Sequence, residues 1–245
     1  MHDRLRVWAR QWPQALLRTL LPCCCALCGG SCAAPVCAPC QAQFLGRAGA
    51  RCRRCANPLA DAGRLCGTCL AQDPAYDATV AAADYALPLD QLVLQLKFGA
   101  RLALAPLCAL ALRDAVLRQR DFVLPNLLCP VPLGPRRLVE RGFNQALEIA
   151  RPLADSLGIP LHARLAIRTL DTQAQSGMAP GQRRANIRHA FIVAPEAVAL
   201  VRGQHIGIVD DVMSSGQTLG ELAATFKRFG AARVSNLVFA RTPPH

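Results

Sequence analysis

The sequence predicts an α/β domain, with a mostly parallel sheet flanked by helices, preceded by a small cysteine-rich metal-binding domain. Three observations predict it. Eleven of the 13 cysteines fall between Cys23 and Cys69, so two stretches of the chain rest on different stabilising physics. From about residue 76, short apolar runs alternate with amphipathic stretches, the pattern of strands alternating with helices. A chain of 245 residues that is 52% hydrophobic and 18% charged has material for a core, which excludes wholesale disorder. The longest apolar stretch, residues 102–112, lies between Arg101 and Arg113 and contains Pro106. It falls well short of the roughly 20 residues that cross a bilayer. The expected division is residues 1–75, an N-terminal helix and metal module, then residues 76–245, the α/β domain.

The N-terminal part comes first. Residues 1–21 begin basic and carry leucines, but Arg18 interrupts the apolar part and no small-residue cleavage site precedes the cysteines. A secretory signal is not expected, and a cytoplasmic location is. Thiols stay reduced there, so a cysteine cluster favours metal over disulfides. Four CxxC pairs follow: Cys25/Cys28, Cys37/Cys40, Cys52/Cys55 and Cys66/Cys69. Each such turn aims two thiolates at one ion, and two turns complete a tetrahedron. Eight thiolates suit two structural Zn2+ sites, ahead of an iron–sulfur cluster or disulfides. Metal binding would supply folding energy that so few large apolar residues cannot. Which pair joins which stays open, and Cys23, Cys24 and Cys32 are left over.

Elements of the α/β part read in order. Residues 76–86 form a strand, 90–98 a helix capped by Asp90 and ended by Gly99, and 102–118 a second helix with Pro106 near its start. Residues 126–133 are a short buried strand. Asn144 opens a helix ended by Gly158, with Pro152 its weak point. Residues 203–211 are another buried strand, 217–229 an amphipathic helix closed by Gly230, and 233–241 a last strand.

The end of the 203–211 strand is the most informative place in the chain. There an apolar run meets two acids, then a small hydroxylic turn that opens a helix: Asp210, Asp211, Ser214, Ser215, Gly216, Gln217 and Thr218. Backbone N–H groups and hydroxyls of such a turn can cradle a phosphate at a helix N-terminus. Carboxylates are acceptors only, suited to sugar hydroxyls and unsuited to phosphate. Acids beside a phosphate cradle therefore read as a sugar-phosphate pocket. The net charge of +12 is carried almost wholly by arginine, Lys97 and Lys227 being the only lysines. Arginine holds phosphate through planar, bidentate hydrogen bonds.

This run resembles the phosphoribosyl-pyrophosphate (PRPP) binding motif of type I phosphoribosyltransferases. Residues 131–145 (VPLGPRRLVERGFNQ), 172–191 (TQAQSGMAPGQRRANIRHAF) and 96–101 (LKFGAR), with the CxxC series, are similar to signature stretches of the ComF/GntX family. The resemblance runs from about Leu20 to near the C-terminus. It implies a double zinc ribbon followed by a type I phosphoribosyltransferase-like domain. By that likeness, Asp210 and Asp211 take ribose hydroxyls, and Ser214, Ser215, Gly216, Gln217 and Thr218 take the 5-phosphate. The turn after Leu133 meets pyrophosphate, with Arg137 and Arg141 as charge partners. Residues 172–184, with Arg183, Arg184 and nearby Arg188, form a loop that closes over the site. Mg2+ accompanies PRPP. Met178 stands where the family often has leucine, no residue reads as a general base, and the acceptor is not legible.

Two functions compete. One is an enzyme, Mg2+-dependent phosphoribosyl transfer from PRPP to an unknown acceptor. The other is a competence factor that binds single-stranded DNA through zinc ribbons and basic surface, with PRPP as a regulatory ligand. The resemblance implies a link to DNA uptake or the use of external DNA, with competence-machinery proteins as further partners. A PRPP-sensing regulator is a third class, for which no helix–turn–helix is evident.

Overall fold

Residues 23–45, 49–61, 64–169 and 190–243 are described by the structure, a computed structural model. The chain separates into two compact units, Met1–Gly46 and Arg47–His245.

In the first unit, β1 (Cys23–Cys24) pairs antiparallel with β2 (Ser31–Cys32), and α1 (Ala38–Phe44) begins directly after Cys37. Pro39 sits in its first turn, where a missing N–H costs nothing.

The second unit opens with a knuckle at residues 51–58 and a short helix, α2 (Gly67–Gln72). Its sheet contains β3 (Ala78–Asp84), β4 (Leu127–Pro130), β7 (His205–Met213) and β8 (Arg233–Arg241) in the order β3–β8–β7–β4. Every pairing in this sheet is parallel. Parallel strands covered on both faces lose the polar–apolar alternation of a half-exposed strand. That is why β3 is buried from Ala78 through Ala83. Between the strands run α3 (Asp90–Phe98), α4 (Ala105–Arg118), α5 (Pro135–Arg141), α6 (Gln145–Leu157), α7 (Val198–Val201) and α8 (Gln217–Arg228). The helices α4 and α6 pack against each other and the sheet, while α8 lies against β7, β8 and a short strand, β6 (Phe191–Val193). Ile206 and Ile208 join a buried cluster with Leu222 and Phe226 of α8. Alternation along β7 turns Val209 and Asp211 to the face that α6 covers. Gly207 is needed where β7 approaches β4: a Cβ there would lie 2.6 Å from Leu128 Cδ2 and 2.7 Å from Pro125 Cγ.

Local rules account for most boundaries. Asn144 Oδ1 accepts from the N–H of Ala146 (3.0 Å) and of Leu147 (3.4 Å), and Gly158 ends α6 in the left-handed region. The helix runs on through Pro152. The expected helix at 102–118 begins as a 3-10 turn, Leu102–Leu104, and becomes α-helical at Ala105, so that Pro106 falls in the first turn. Asp90 is the first residue of α3 rather than its cap, which is Leu89. Unexpected from the sequence is α5, which has no buried residue. A hairpin of β5 (Ala166–Arg168) and β6 (Phe191–Val193) stands apart from the main sheet. Residues 170–189 between them, with the loop candidates Arg183 and Arg184, lie outside the described residues.

Candidate functional site

The carboxyl end of β7 builds the site. Met213 ends the strand, Ser214 and Ser215 are exposed, and Gly216 adopts φ 78° before α8 starts at Gln217. That left-handed backbone favours glycine. Space also requires it: a Cβ would lie 2.6 Å from Met213 Cε and 3.0 Å from the Tyr76 hydroxyl. Ser215 Oγ accepts from the Gln217 N–H at 3.4 Å, and no acid occupies the first turn of α8. Helix N-termini carry unpaired N–H groups and partial positive charge, so an acid-free first turn keeps that field available to an anion.

Arg241, at the end of the neighbouring β8, lies under this turn and is 6% exposed. Its Nη1 donates to the carbonyl oxygens of Met213 (3.0 Å), Ser214 and Thr242. In a trans peptide the carbonyl and the following N–H point in opposite directions. Holding the carbonyls of Met213 and Ser214 on Arg241 therefore turns the N–H groups of Ser214 and Ser215 away from it. Such N–H groups, with two serines and a helix N-terminus beside them, can together receive an anionic group.

The two aspartates differ. Asp211, 2% exposed, forms an ion pair from Oδ2 to Lys97 Nζ at 2.7 Å, while its Oδ1 accepts from Gln145 Nε2 at 3.4 Å. Asp210 is less buried, and its Oδ1 accepts from the Asp211 N–H at 2.9 Å. Burial, then the adjacent Asp211 carboxylate, holds the Asp210 carboxyl well above the usual range. Gln145 also accepts from Arg141. The Arg141 guanidinium stacks over the Phe98 ring, 5.6 Å from its centroid. An open cleft of about 500 Å³ is lined by Lys97, Phe98, Ala100, Arg137, Glu140, Arg141 and Phe143. Cations and an aromatic ring thus meet beside the acid pair, a surface fitted to anionic groups with a planar ring.

The cysteines gather into two tetrads, Cys25, Cys28, Cys37, Cys40 and Cys52, Cys55, Cys66, Cys69, so consecutive pairs join. In each, all four sulfurs lie within 4.8 Å of one another. Sulfurs about 2.3 Å from one zinc in a tetrahedron stand about 3.8 Å apart. The Cys28–Cys37 separation of 3.8 Å and the Cys55–Cys66 separation of 3.5 Å fit that shell. Backbone N–H groups also point at sulfur, Cys37 N to Cys25 Sγ at 3.3 Å and Cys66 N to Cys52 Sγ at 3.4 Å. Burial alone would raise the Cys25 thiol, but N–H groups of Cys28, Cys37 and Leu27 bring it down to about 6. Cys66 falls to about 7 as hydrogen bonds to Cys69, Cys55 and Cys52 outweigh its burial. Thiolate is the ligand form. Cys24 is exposed and takes no part, and Cys32 Sγ donates to the Ala34 carbonyl at 2.9 Å. Cys129 sits in the apolar core, where burial pushes its thiol up to about 12.

The structure therefore brings the 210–218 run, Arg137 and Arg141 to one end of the sheet and closes eight cysteines into two tetrads. Lys97, Gln145, Tyr76 and Arg241 were not anticipated as part of this site. One signal was available for Lys97: it is one of two lysines in an arginine-rich chain.

The parallel α/β fold and its two cysteine tetrads are those of a phosphoribosyltransferase-like protein with N-terminal clusters able to hold a metal ion. A family model described as phosphoribosyl transferase domain matches residues 144–244. The chain is 36% identical over 194 residues to the DNA utilization protein YhgH of Salmonella typhimurium, covering 78% of this chain and 84% of that one. It is 32% identical over 210 residues to competence protein F of Haemophilus influenzae, covering 84% and 90%. It belongs to the ComF/GntX family. Among solved structures, the glutamine PRPP amidotransferase from B. subtilis is 18% identical with a TM-score of 0.35, over 55% of this chain and 26% of that one.

Proposed function

We propose that residues 210–218 bind the ribose-phosphate end of PRPP, and that the domain transfers the phosphoribosyl group, with Mg2+, to an acceptor in a cytoplasmic step tied to DNA uptake or the use of external DNA. One observation carries the reading: Arg241 holds the carbonyls of Met213 and Ser214 on one side, so the N–H groups of Ser214 and Ser215 face the other, on two exposed serines at an acid-free helix N-terminus. Asp210 accepts ribose hydroxyls. Asp211 anchors Lys97 and, through Gln145, orients Arg141, which with Arg137 meets the pyrophosphate charge. The acid pair offers few free oxygens for a protein-only Mg2+ cage, which suits a cation that keeps water and substrate oxygens as ligands. When bound, Mg2+ neutralises charge on the leaving pyrophosphate. The thiolate tetrads hold Zn2+ as structural sites, with no position left for water. The relatives' names, DNA utilization and competence, support the biological setting.

A second reading, a single-stranded DNA-binding factor regulated by PRPP, is favoured by the cleft. Phe98 is 75% exposed and flanked by Arg137 and Arg141, a stacking ring among cations. One titration series separates the two. Calorimetry with PRPP and Mg2+ is expected to give binding that weakens at least about tenfold in Asp210→Asn/Asp211→Asn. Equal affinity in both proteins removes the PRPP site. Salt-sensitive oligonucleotide binding, with no pyrophosphate released from PRPP across an acceptor screen, selects the second reading.

A further inference from the structure

We propose that Arg241 is the positioning residue of the phosphate-binding turn, and that it makes the turn's geometry depend on metal in the second thiolate tetrad. The inference rests on the reading of residues 210–218 as a phosphate site and assigns control of that site.

The guanidinium spans two centres. On one side its Nη1 takes the carbonyls of Met213, Ser214 and Thr242. On the other its Nε donates to the carbonyl of Cys55 at 2.9 Å. All its partners are backbone oxygens, and among the described residues no carboxylate lies within ion-pairing distance of it. A rigid fork of donors can hold two backbone segments in a fixed relation, which a lysine ammonium on a flexible stem cannot.

The Cys55 carbonyl belongs to the knuckle that carries two sulfurs of the tetrad. That turn is closed by Ala56 N to Cys52 O and Cys52 N to Asn57 O, both 2.8 Å, with Ala56 at φ 56°. Its shape is fixed when Cys52 and Cys55 share one ion with Cys66 and Cys69. Tyr76 makes a second link. It is buried in one cluster with Cys52, Cys55, Cys69 and Met213, and its hydroxyl forms the wall against which Gly216 fits.

With the tetrad emptied, the knuckle loses the ion shared by Cys52, Cys55, Cys66 and Cys69, and the Cys55 carbonyl is no longer fixed. The fork then loses one anchor, and the N–H groups of Ser214 and Ser215 lose their fixed direction. Phosphate affinity falls although no phosphate contact has been touched.

The test uses the full chain with both metal sites filled, probed with ribose 5-phosphate by calorimetry and by amide hydrogen exchange. Arg241→Lys keeps the charge and removes the fork. It is expected to retain two zinc ions per chain, weaken ribose 5-phosphate about tenfold, and speed exchange at Ser215 and Gly216 while leaving Val209 in mid-strand unchanged. Chelation of the second site, in a Cys25→Ser/Cys28→Ser background that has lost the first, is expected to reproduce both effects. Exchange at the turn that stays within twofold of the parent protein in Arg241→Lys and after chelation overturns the proposal, whatever PRPP does. If the turn loosens as expected while the parent protein binds neither PRPP nor ribose 5-phosphate, the coupling stands and the phosphate reading fails. Should Arg241→Lys lose its cooperative thermal transition, Tyr76→Phe serves: it removes the hydroxyl beside Gly216 and is expected to loosen the turn more mildly, an unchanged turn counting against the proposal.

Discussion

His205 shows what a single buried polar side chain does for this fold. It opens β7, is 7% exposed, and its Nε2 lies 2.9 Å from Ser235 Oγ on β8. Burial, then the charge of Arg233, lowers its pKa to about 4, with Asp77 opposing and Lys227 assisting. Unfolded histidine titrates near 6.5, so between about 6.5 and 4 the unfolded chain binds a proton that the folded one does not. The contribution is complete above pH 6.5 and is lost as pH falls toward 4. Stability should fall through that window by at most about 1.4 kcal/mol per pH unit from this group. His205→Gln keeps a hydrogen-bonding side chain without the titration. Urea unfolding at pH 7, 6 and 5 should show a shallower acid limb in the variant, and parallel limbs would mean that His205 does not couple. Lys97 and Asp211 are a second buried polar contact, 2.7 Å apart with the aspartate 2% exposed, and removing either leaves its partner without that contact.

At the scale of elements, the turn between β7 and α8 is the piece on which most depends. Gly216→Ala would force a side chain into a left-handed backbone and against Met213 and Tyr76. The expected cost is about 2–3 kcal/mol in urea unfolding, with loss of PRPP binding beyond what the lower stability explains. Ser215→Ala, which removes only a hydroxyl, should cost well under 1 kcal/mol by the same measurement. A stable, fully binding Gly216→Ala protein would show that the turn needs no such conformation. This turn was legible in the sequence because all of it, Asp210 to Thr218, is contiguous. So were β8 at residues 233–241, α6 with its Asn144 cap, and α8, whose periodicity and caps are local signals. The helix α5 escaped notice because its seven residues bury nothing and so carry no apolar stripe. Gln145 and Arg241 escaped for another reason. Their partners lie 66 residues away at Asp211 and 186 residues away at Cys55, and only the strand order brings them together.

For the whole molecule, the two tetrads have identical chemistry and different duties. Filling both adds four formal negative charges to a chain of +12, so the protein stays strongly cationic, as suits an anionic substrate or a nucleic acid. Around the first tetrad, residues 23–45 bury few side chains besides their own cysteines, chiefly Val36 and Leu45. A metal ion held there would take the place of a core. The second tetrad is sewn into the larger unit. Thr79 N on β3 donates to Arg53 O at 3.2 Å, Arg51 pairs with Asp84 at 2.8 Å, and Arg241 holds Cys55. Its cysteines belong to the same buried cluster as Met213 and Leu219. Losing the two metals should therefore have unequal consequences. Cys25→Ser/Cys28→Ser should remove one zinc and unprotect amides in residues 23–45, moving the main calorimetric transition by less than about 2 °C. Cys52→Ser/Cys55→Ser should remove the other zinc and lower that transition by roughly 6–12 °C, the equivalent of about 3 kcal/mol in a unit of this size. Equal shifts from both pairs would mean that the contacts of the second tetrad add nothing to the stability of the larger unit, and would leave the sheet standing without it.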